Sequence, residues 1–318
     1  MRKFWSALLA SAICITAGNP ALADNNSDRI TLIVPYSAGG QTDTTARVFA
    51  EHLRKVLGRT VVVDNRTGAS GGIGATAVAQ AAADGNTIMI GGVSTYLLPI
   101  LNKAVKYDAA KQLRPVAQIS SAPLLLVVRA DSRYKSVDEL LQAGRSRALT
   151  FGSSGVGTSP HLAAQWLMSV TKSRSVHVPY RGGPALTQAL LSGDVDFVVD
   201  VASTTVPLIK SGKLRALGAT SPSSLPAVEG IPLISKSVPG YVVSSWLGIF
   251  APAATPDAVI DRLESALKTV SEQPDVRNQM KESGNPVEFK PKAEFSEHIA
   301  KETARFTSLI KQLNLTIE

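Results

Sequence analysis

Short apolar runs alternate with segments of helical periodicity along most of the chain. The first run, residues 30–34, carries four apolar side chains and is typical of a buried strand. A glycine-rich loop follows, and then Ala46, Phe49 and Leu53 fall on one helical face. The same order of strand, glycine-rich loop and helix recurs from residue 149. This alternation predicts an α/β fold.

The same pattern locates further elements. Predicted strands cover residues 61–64, 87–92, 124–128 and 194–200. Predicted helices cover residues 73–83, 136–145, a segment from about residue 160, and 292–313, with two more separated by Pro274. Ser136 followed by Glu139 is a cap-plus-carboxylate signature that supports the helix over 136–145.

Two of the predicted loops lead directly into helix starts and have the same design. In residues 34–47, VPYSAGGQTDTTAR, Thr42 or Asp43 is the expected cap of the helix. The loop before the helix at about residue 160, GSSGVGTSP, repeats the pattern. A glycine-rich loop at a helix start exposes backbone N–H groups at the positive end of the helix dipole. Both loops therefore predict a seat for an anion.

The first residues have the layout of a secretion signal. Arg2 and Lys3 precede an apolar run over residues 4–17, and residues 21–23, Ala-Leu-Ala, form a cleavage site. We expect residues 1–23 to be removed, so that the mature protein begins near Asp24 and is located in the periplasm. The apolar run is too short to span a membrane, and no stable membrane insertion is expected. The single cysteine, Cys14, lies inside this segment.

Length and charge restrict the classes of partner. The chain has 318 residues, and about 295 remain after removal of 23, which suits two domains. The formal charge is +8, or 8 − 2 = +6 without Arg2 and Lys3. The basic residues are scattered and aromatic residues make up 5% of the chain, so nucleic-acid binding is not expected. The charge favours either plain solubility or mild steering of anionic solutes.

The motifs give no support for catalysis, metal binding or a nucleotide cofactor. GSSGVG departs from the G-x-S-x-G spacing of a nucleophile elbow, so His161 is interpreted as a packing or hydrogen-bonding residue and not as a base. The histidines have no metal-ligand spacing; they are His52, His161, His177 and His298. Neither GASGGIG nor GSSGVGTS fits G-x-G-x-x-G.

Two residues have two interpretations each. Asp43 is either a carboxylate that stabilises its helix terminus or a water-mediated ligand contact. Trp246 is either a packing residue at a hinge or part of a pocket wall.

Several strings resemble those of the substrate-binding proteins of tripartite tricarboxylate transporters, the Bug or TctC-like extracytoplasmic solute receptors. Besides VPYSAGGQTDTTAR they are VVVDNRTGASGGIGATAVAQAAADGNTIMIGG, FGSSGVGTSPHLAAQ, HVPYRGGPALTQALLSGDVDF, KSGKLRALGATSP and SSWLGIFAPAATP. They occur in the family's order and cover nearly the whole mature chain. In RGGPALTQ, Pro184 stands where many relatives have one more residue before it.

The resemblance implies a periplasmic binding protein fold of type II, with two α/β lobes joined by two crossover strands. Lobe 1 is expected to contain residues 24–124 plus 245–318, and lobe 2 residues 125–244. The expected linkers are residues 125–129 and 244–248.

The resemblance also implies which residues contact a small carboxylate held between the lobes. The expected contacts are Tyr36, Ser37, Gly39, Gly40, Gln41, Asp43, Ser94, Thr95, Ser154, Gly157, Thr158, His161, Arg181 and Asp200. Ser94 and Thr95 are expected to end a strand. The cationic candidate is Arg181, and Asp200 is a candidate for contacting an amine or hydroxyl. No catalytic residue, metal site or cofactor is expected.

The implied function is that of a monomeric receptor that captures a small organic carboxylate and delivers it to membrane transporter subunits. A ligand-sensing partner of a membrane sensor kinase has the same kind of pocket and remains an alternative. A secreted α/β hydrolase is a further alternative that lacks a nucleophile–base pair.

Overall fold

The computed structural model of the chain describes residues 29–102, 105–222 and 230–312. The predicted signal segment, residues 1–23, and the expected mature start at Asp24 lie outside these ranges. The strands are β1 (Arg29–Val34), β2 (Thr60–Asn65), β3 (Thr87–Gly91), β4 (Leu113–Arg129), β5 (Leu149–Ser153), β6 (Ser175–Pro179), β7 (Phe197–Val201), β8 (Leu214–Ala219), β9 (Ser244–Pro252) and β10 (Val287–Pro291). The helices are α1 (Gln41–Leu57), α2 (Gly72–Ala79), α3 (Ser94–Leu101), α4 (Ala109–Gln112), α5 (Val137–Ser146), α6 (Ser159–Val170), α7 (Gly183–Ser192), α8 (Ala202–Lys210), α9 (Asp257–Glu272), α10 (Pro274–Glu282) and α11 (Lys292–Gln312).

The described strands form one mixed sheet, and the predicted α/β fold is confirmed. The strand order is β2-β1-β3-β9-β4-β7-β5-β6, and β8 and β10 also pair with β4. β1 is parallel to β2 and β3, and β5 is parallel to β6 and β7. β4 and β9 run antiparallel to their partners. We call β1, β2, β3, β9 and β10 the first sheet half, and β5, β6, β7 and β8 the second sheet half.

The long strand β4 joins the two halves. Residues 113–123 pair with β9, whereas residues 124–129 pair with β7 and β8. The sequence predicted the second of these segments and missed the first, because Pro115, Gln118 and Ser120 interrupt its apolar pattern although the latter two are fully buried. The lobe boundaries at 124/125 and 244/245 stay a prediction, which the change of strand partners supports.

Helices α1 and α5 form for the reasons that their sequences indicate. The apolar face of α1, including Phe49 and Leu53, is buried against the sheet, and Gly58 ends the helix at φ +64°, in the left-handed region that glycine tolerates. The predicted cap of α5 is confirmed, since the Glu139 N–H donates to Ser136 Oγ at 3.2 Å.

Two predictions of local structure are wrong. Helix α1 begins two or three residues earlier than expected, with Gly40 and not Thr42 or Asp43 as its N-cap, because the Asp43 carboxylate is bonded to Arg47 and to the Gly39 N–H. Ser94 and Thr95 do not end a strand. β3 ends at Gly91, and both residues lie in the first turn of α3, which Pro99 hides from a periodicity analysis.

A stack of aromatic rings fixes the start of α6 to the second sheet half. The rings of His161 and His177 are 4.0 Å apart, and Phe151 stacks on His177 at 4.9 Å. His177 Nε2 is hydrogen bonded to Ser153 Oγ at 2.6 Å, and His161 Nδ1 accepts from the Gly157 N–H at 3.1 Å. Burial lowers the pKa of His161 to about 3 and that of His177 to about 4. Both rings are therefore neutral at pH 7.

This histidine pair should make the fold sensitive to acid. In the unfolded chain each imidazole binds a proton below about pH 6.5, whereas in the folded protein it does so only near pH 3–4. The free energy of unfolding should therefore fall as the pH drops below about 6.5, by about 2 kcal/mol per histidine at pH 5. Urea unfolding at pH 7.5 and pH 5.0 measures this loss.

His161→Phe is the informative variant, because it keeps a stacked ring but removes one titrating group. Its loss of stability between the two pH values should be smaller than that of the wild type. The raised pKa values of buried Asp200 and Glu302 act in the opposite direction, but they are common to both proteins and cancel in the comparison. An equal loss in both proteins would refute this explanation.

Candidate functional site

A cavity lies between the two sheet halves, at the carboxyl ends of β1, β3, β5, β6 and β7. About 610 Å³ of empty space lies between its lining residues, a volume that includes space open to solvent. Ligands of open α/β sheets bind beyond the carboxyl ends of the strands. The described residues that line it are Tyr36, Ser37, Gly40, Gln41, Thr42, Gly92, Val93, Ser94, Ser154, Thr158, Ser159, Pro160, Gly182, Gly183, Asp200, Val201, Thr204, Ser245, Trp246 and Leu247.

Five helices, α1, α3, α6, α7 and α8, begin at this cavity. None of the five has a side-chain cap that accepts a hydrogen bond from its first N–H groups. Among the helices that begin elsewhere, α4 and α5 are capped by Asp108 and Ser136, and α2, α9 and α10 have no side-chain cap. The first N–H groups of a helix have no partner within the helix. At α1, α6, α7 and α8, a ligand can therefore take the place of the cap. At α3, the N–H groups of Thr95 and Tyr96 already donate to the carbonyls of Gly92 and Val93.

The loop before α1 is fixed by the buried carboxylate of Asp43, which lies beneath it. Asp43 accepts from the Gly39 N–H at 2.9 Å, from Arg47 at 2.9 and 3.0 Å, and from Asn65 at 3.0 Å. Burial opposes ionisation of Asp43, but these hydrogen bonds outweigh it and lower the pKa of the carboxyl. Asn65 also donates to the Tyr36 backbone oxygen. Asp43 therefore shapes the loop and does not line the cavity, which supports its interpretation as a structural carboxylate.

The matching loop of the second sheet half is fixed by its own side chains. Thr158 Oγ1 donates to the Gly155 carbonyl at 2.7 Å, and Ser153 Oγ donates to the same carbonyl at 3.0 Å. Gly157 adopts φ +78°, and its N–H donates to His161 Nδ1. As a result Gly157 and His161 lie beneath the loop, while Ser154 and Thr158 face the cavity.

Aromatic side chains form the wall of the cavity in the first sheet half. The Tyr36 hydroxyl is hydrogen bonded to Ser94 Oγ at 2.6 Å, and burial raises the pKa of Tyr36, so the hydroxyl stays protonated. Trp246 is 1% exposed, and its ring packs edge-on against Phe295 at 5.4 Å. Its Nε1–H has no partner among the described protein groups. Trp246 is thus both a packing residue and a part of the cavity wall.

Direct contacts connect the two sheet halves around the cavity. Ser37 Oγ donates to the Arg181 backbone oxygen at 2.9 Å, and the Val156 N–H donates to Ser70 Oγ at 3.2 Å. Gly182 lies so close to Ser37 that an added Cβ would stand 2.5 Å from Ser37 Oγ. The loops before α1 and α7 therefore touch each other at the cavity rim.

The charges at the cavity are unusual for an anion site. No lysine, arginine or histidine is among the described residues that line it. Arg181 lines a neighbouring cleft together with Tyr180 and Ser70. The one described acid at the cavity is Asp200, which is 3% exposed. Burial raises the pKa of Asp200 to about 6, although the hydroxyl of Thr204 donates to its carboxylate at 2.8 Å.

The structure brings most of the residues expected at the site to this cavity. Those that line it are Tyr36, Ser37, Gly40, Gln41, Ser94, Ser154, Thr158 and Asp200. The others lie behind the lining or beside it; they are Gly39, Asp43, Thr95, Gly157, His161 and Arg181. Thr95, for example, accepts a bond from buried Tyr107 at its backbone oxygen, 2.7 Å away.

Sequence reasoning missed Thr204, Ser245 and Leu247 as lining residues. Ser245 donates to Gln41 Oε1 at 3.1 Å, which connects β9 to the start of α1. The matched string SSWLGIFAPAATP contains Ser245 and Leu247, so the resemblance was the available signal. Thr204 lies in the first turn of α8, after the strand that carries Asp200, and nothing in the neighbouring sequence indicated it.

Within residues 29–102, 105–222 and 230–312, no group of three or more histidine, cysteine, aspartate or glutamate side chains is arranged to hold a metal ion. In the same ranges, no helix combines the length and apolar character needed to cross a membrane.

Comparison with solved structures finds the same fold in three informative proteins. The periplasmic binding protein BugD superposes with a TM-score of 0.84 at 29% identity, covering 91% of this chain and 99% of BugD. A Rhodopseudomonas palustris protein determined with adipate gives 0.82 at 31% identity, covering 89% and 96%. MatC from Rhodopseudomonas palustris, with bound malate, gives 0.83 at 29% identity, covering 89% and 98%.

These likenesses confirm the periplasmic binding protein fold that the sequence predicted. The sequence model of the family described as tripartite tricarboxylate transporter family receptor, TctC, matches residues 45–315 of this chain. That family consists of solute-binding receptors and not of enzymes, in agreement with the motif analysis. Since the match covers most of the chain, this protein belongs to the TctC family of tripartite tricarboxylate transporter receptors.

Proposed function

We propose that this protein captures a small organic carboxylate in the cavity between its two sheet halves and delivers it to the membrane subunits of a tripartite transporter. The observation that carries the proposal is the convergence of five helix starts without side-chain caps at one cavity. Such N–H groups favour an anion, and the aligned helix dipoles favour negative charge. A carboxylate is then bound mainly by neutral donors and without a cationic side chain.

Contacts from both halves would give the ligand a role in closure. The α1 start belongs to the first sheet half and the α6 start to the second, so one carboxylate ligand can bond to both at once. A ligand that makes more contacts in the closed arrangement than in an open one shifts the equilibrium toward closure. Closure would occur about the segments where β4 and β9 pass between the proposed lobes.

The family and the first residues support the proposed delivery and location. BugD is a periplasmic binding protein, and the family is named for a membrane transporter. The basic and apolar residues before Asp24 have the pattern of an export signal. We therefore propose that the mature protein acts as a monomer in the periplasm.

The first prediction compares carboxylates with their primary amides. At 100-fold excess over its Kd, a carboxylate that binds should stabilise the fold by about 2.7 kcal/mol, visible as a higher unfolding temperature. The matching amide has a similar shape but no negative charge, so it should give little or no stabilisation. A thermal-shift panel of mono-, di- and tricarboxylates with their amides tests this. If no carboxylate binds, or if amides bind equally well, the proposal fails.

A second prediction concerns Gln41 at the α1 start. Its Oε1 accepts a hydrogen bond from Ser245 Oγ, while its Nε2 is buried and has no partner among the described protein groups. Gln41→Glu replaces the Nε2 donor with a negatively charged carboxylate, in a side chain of nearly the same size. The affinity for carboxylates, measured by titration calorimetry, should fall at least tenfold, which corresponds to about 1.4 kcal/mol.

Gln188→Glu is the matched control, because Gln188 is exposed on α7 and does not line the cavity. It makes the same change in net charge and should leave the affinity nearly unchanged. Equal affinities of the Gln41→Glu protein and the wild type would show that the α1 start does not contact the anion.

A third prediction tests the contact between the halves. At Gly182, φ is +90° and an added Cβ would stand 2.5 Å from Ser37 Oγ. Gly182→Ala should therefore push the α1 and α7 loops apart and weaken ligand binding. Small-angle scattering with saturating ligand should show a larger radius of gyration than for the wild-type complex.

Gly212→Ala controls for backbone strain, because Gly212 also has a positive φ, +71°, but no atom within 4 Å of an added Cβ. It should cost stability without changing affinity or compaction. If Gly182→Ala binds and compacts like the wild type, the two loops do not need to meet when the ligand is bound.

A further inference from the structure

Asp200, the buried acid at the cavity, differs from the acids of the structure that are paired with arginines. Asp43 is bonded to Arg47, and Asp196 is bonded to Arg147 at 2.8 Å; hydrogen bonds with these arginines help to lower the pKa of both carboxyls. Asp200 is as deeply buried as Asp43 but has no basic residue among the described residues that line its cavity. A buried carboxylate without a cationic partner is costly to ionise.

The bonds of Asp200 within the protein offset only part of the cost of ionising its buried carboxyl. Thr204 Oγ1 donates to Asp200 Oδ2 at 2.8 Å, and the Val201 backbone also bonds to the carboxyl. An asparagine could accept the Thr204 bond through its side-chain oxygen, without the cost of burying a charge. The presence of a carboxylate at position 200 is therefore explained better by a ligand that binds in the cavity and contacts this carboxylate.

The rest of the cavity restricts what that partner can be. The helix starts and the unpartnered amide group of Gln41 suit an anion, whereas the hydroxyl hydrogens of Ser37 and Thr158 are already donated to backbone carbonyls. A second carboxylate beside Asp200 would meet a like charge in a site of low dielectric, which is unfavourable. A protonated amine would instead gain a charge-assisted hydrogen bond.

We propose that the ligand is an amino carboxylate, whose carboxylate is bound by the helix starts and whose ammonium group donates to Asp200. This inference rests on the proposed function and narrows its substrate class. The ligand supplies the cation that the cavity lacks, and Asp200 supplies the selectivity against plain dicarboxylates. The adipate and malate complexes of the relatives show that the family also includes receptors for ligands without an amine.

The test uses pairs of probes that differ by the ammonium group: 4-aminobutanoate with butanoate, aspartate with succinate, and alanine with propanoate. Affinities for the purified protein are measured by titration calorimetry at pH 7.5. In at least one pair, the amino member should bind at least tenfold more tightly. If in every pair the plain carboxylate binds as well or better, the inference is wrong while the carboxylate site stands. If no member of any pair binds, the inference is wrong too, and the amide comparison above decides whether the carboxylate site survives.

Asp200→Asn then assigns the preference to its residue. The variant should lose the tenfold preference while it keeps or improves its affinity for the plain carboxylate. Asp196→Asn, which removes an acid that does not line the cavity, should keep the preference. A preference that persists in Asp200→Asn would overturn the assignment. If Asp200→Asn does not fold, Asp200→Ser serves in its place, and the comparison of pairs on the wild type remains decisive for the ligand class.

Discussion

Backbone N–H groups at the start of a helix have no partner within the helix, and this constraint determines how the cavity works. Elsewhere in the described chain, Asp108 and Ser136 satisfy such groups at α4 and α5, whereas α2, α9 and α10 also begin without a side-chain cap. At the five helices around the cavity no side chain does so. An anion that enters the cavity therefore replaces water at donors that the fold has already oriented, and little reorganisation is needed to bind it.

The mixed sheet places these helix starts together. Parallel strands direct their following helices to one edge, and β4 and β9 connect the two sheet halves so that their edges face the same space. The glycines of the loops allow the halves to approach closely, as Gly182 and Ser37 show. Asp200 adds one negative charge to an otherwise neutral set of donors. In the proposed function, affinity for the carboxylate and selection among carboxylates thus come from different residues.

The sequence predicted what depends on local pattern and missed what depends on tertiary contacts. The strand–loop–helix order, the cap of α5 and most lining residues of the first loop follow from apolar periodicity, glycine positions and the family strings. The first part of β4 was missed because polar Gln118 and Ser120 are buried by strand pairing and not by hydrophobicity. His161 was expected both as a packing or hydrogen-bonding residue and as a ligand contact. It lies beneath its loop, because a ring stack with His177, distant in sequence, holds it there.

The most direct test of this account is a crystal structure of the protein with a carboxylate that the thermal-shift panel identifies. The account predicts that each carboxylate oxygen lies within about 3.2 Å of a backbone N–H at the α1 or α6 start, or is joined to one by a single water. It also predicts that no arginine or lysine contacts the carboxylate. A carboxylate paired with Arg181 in the neighbouring cleft, away from the helix starts, would contradict it.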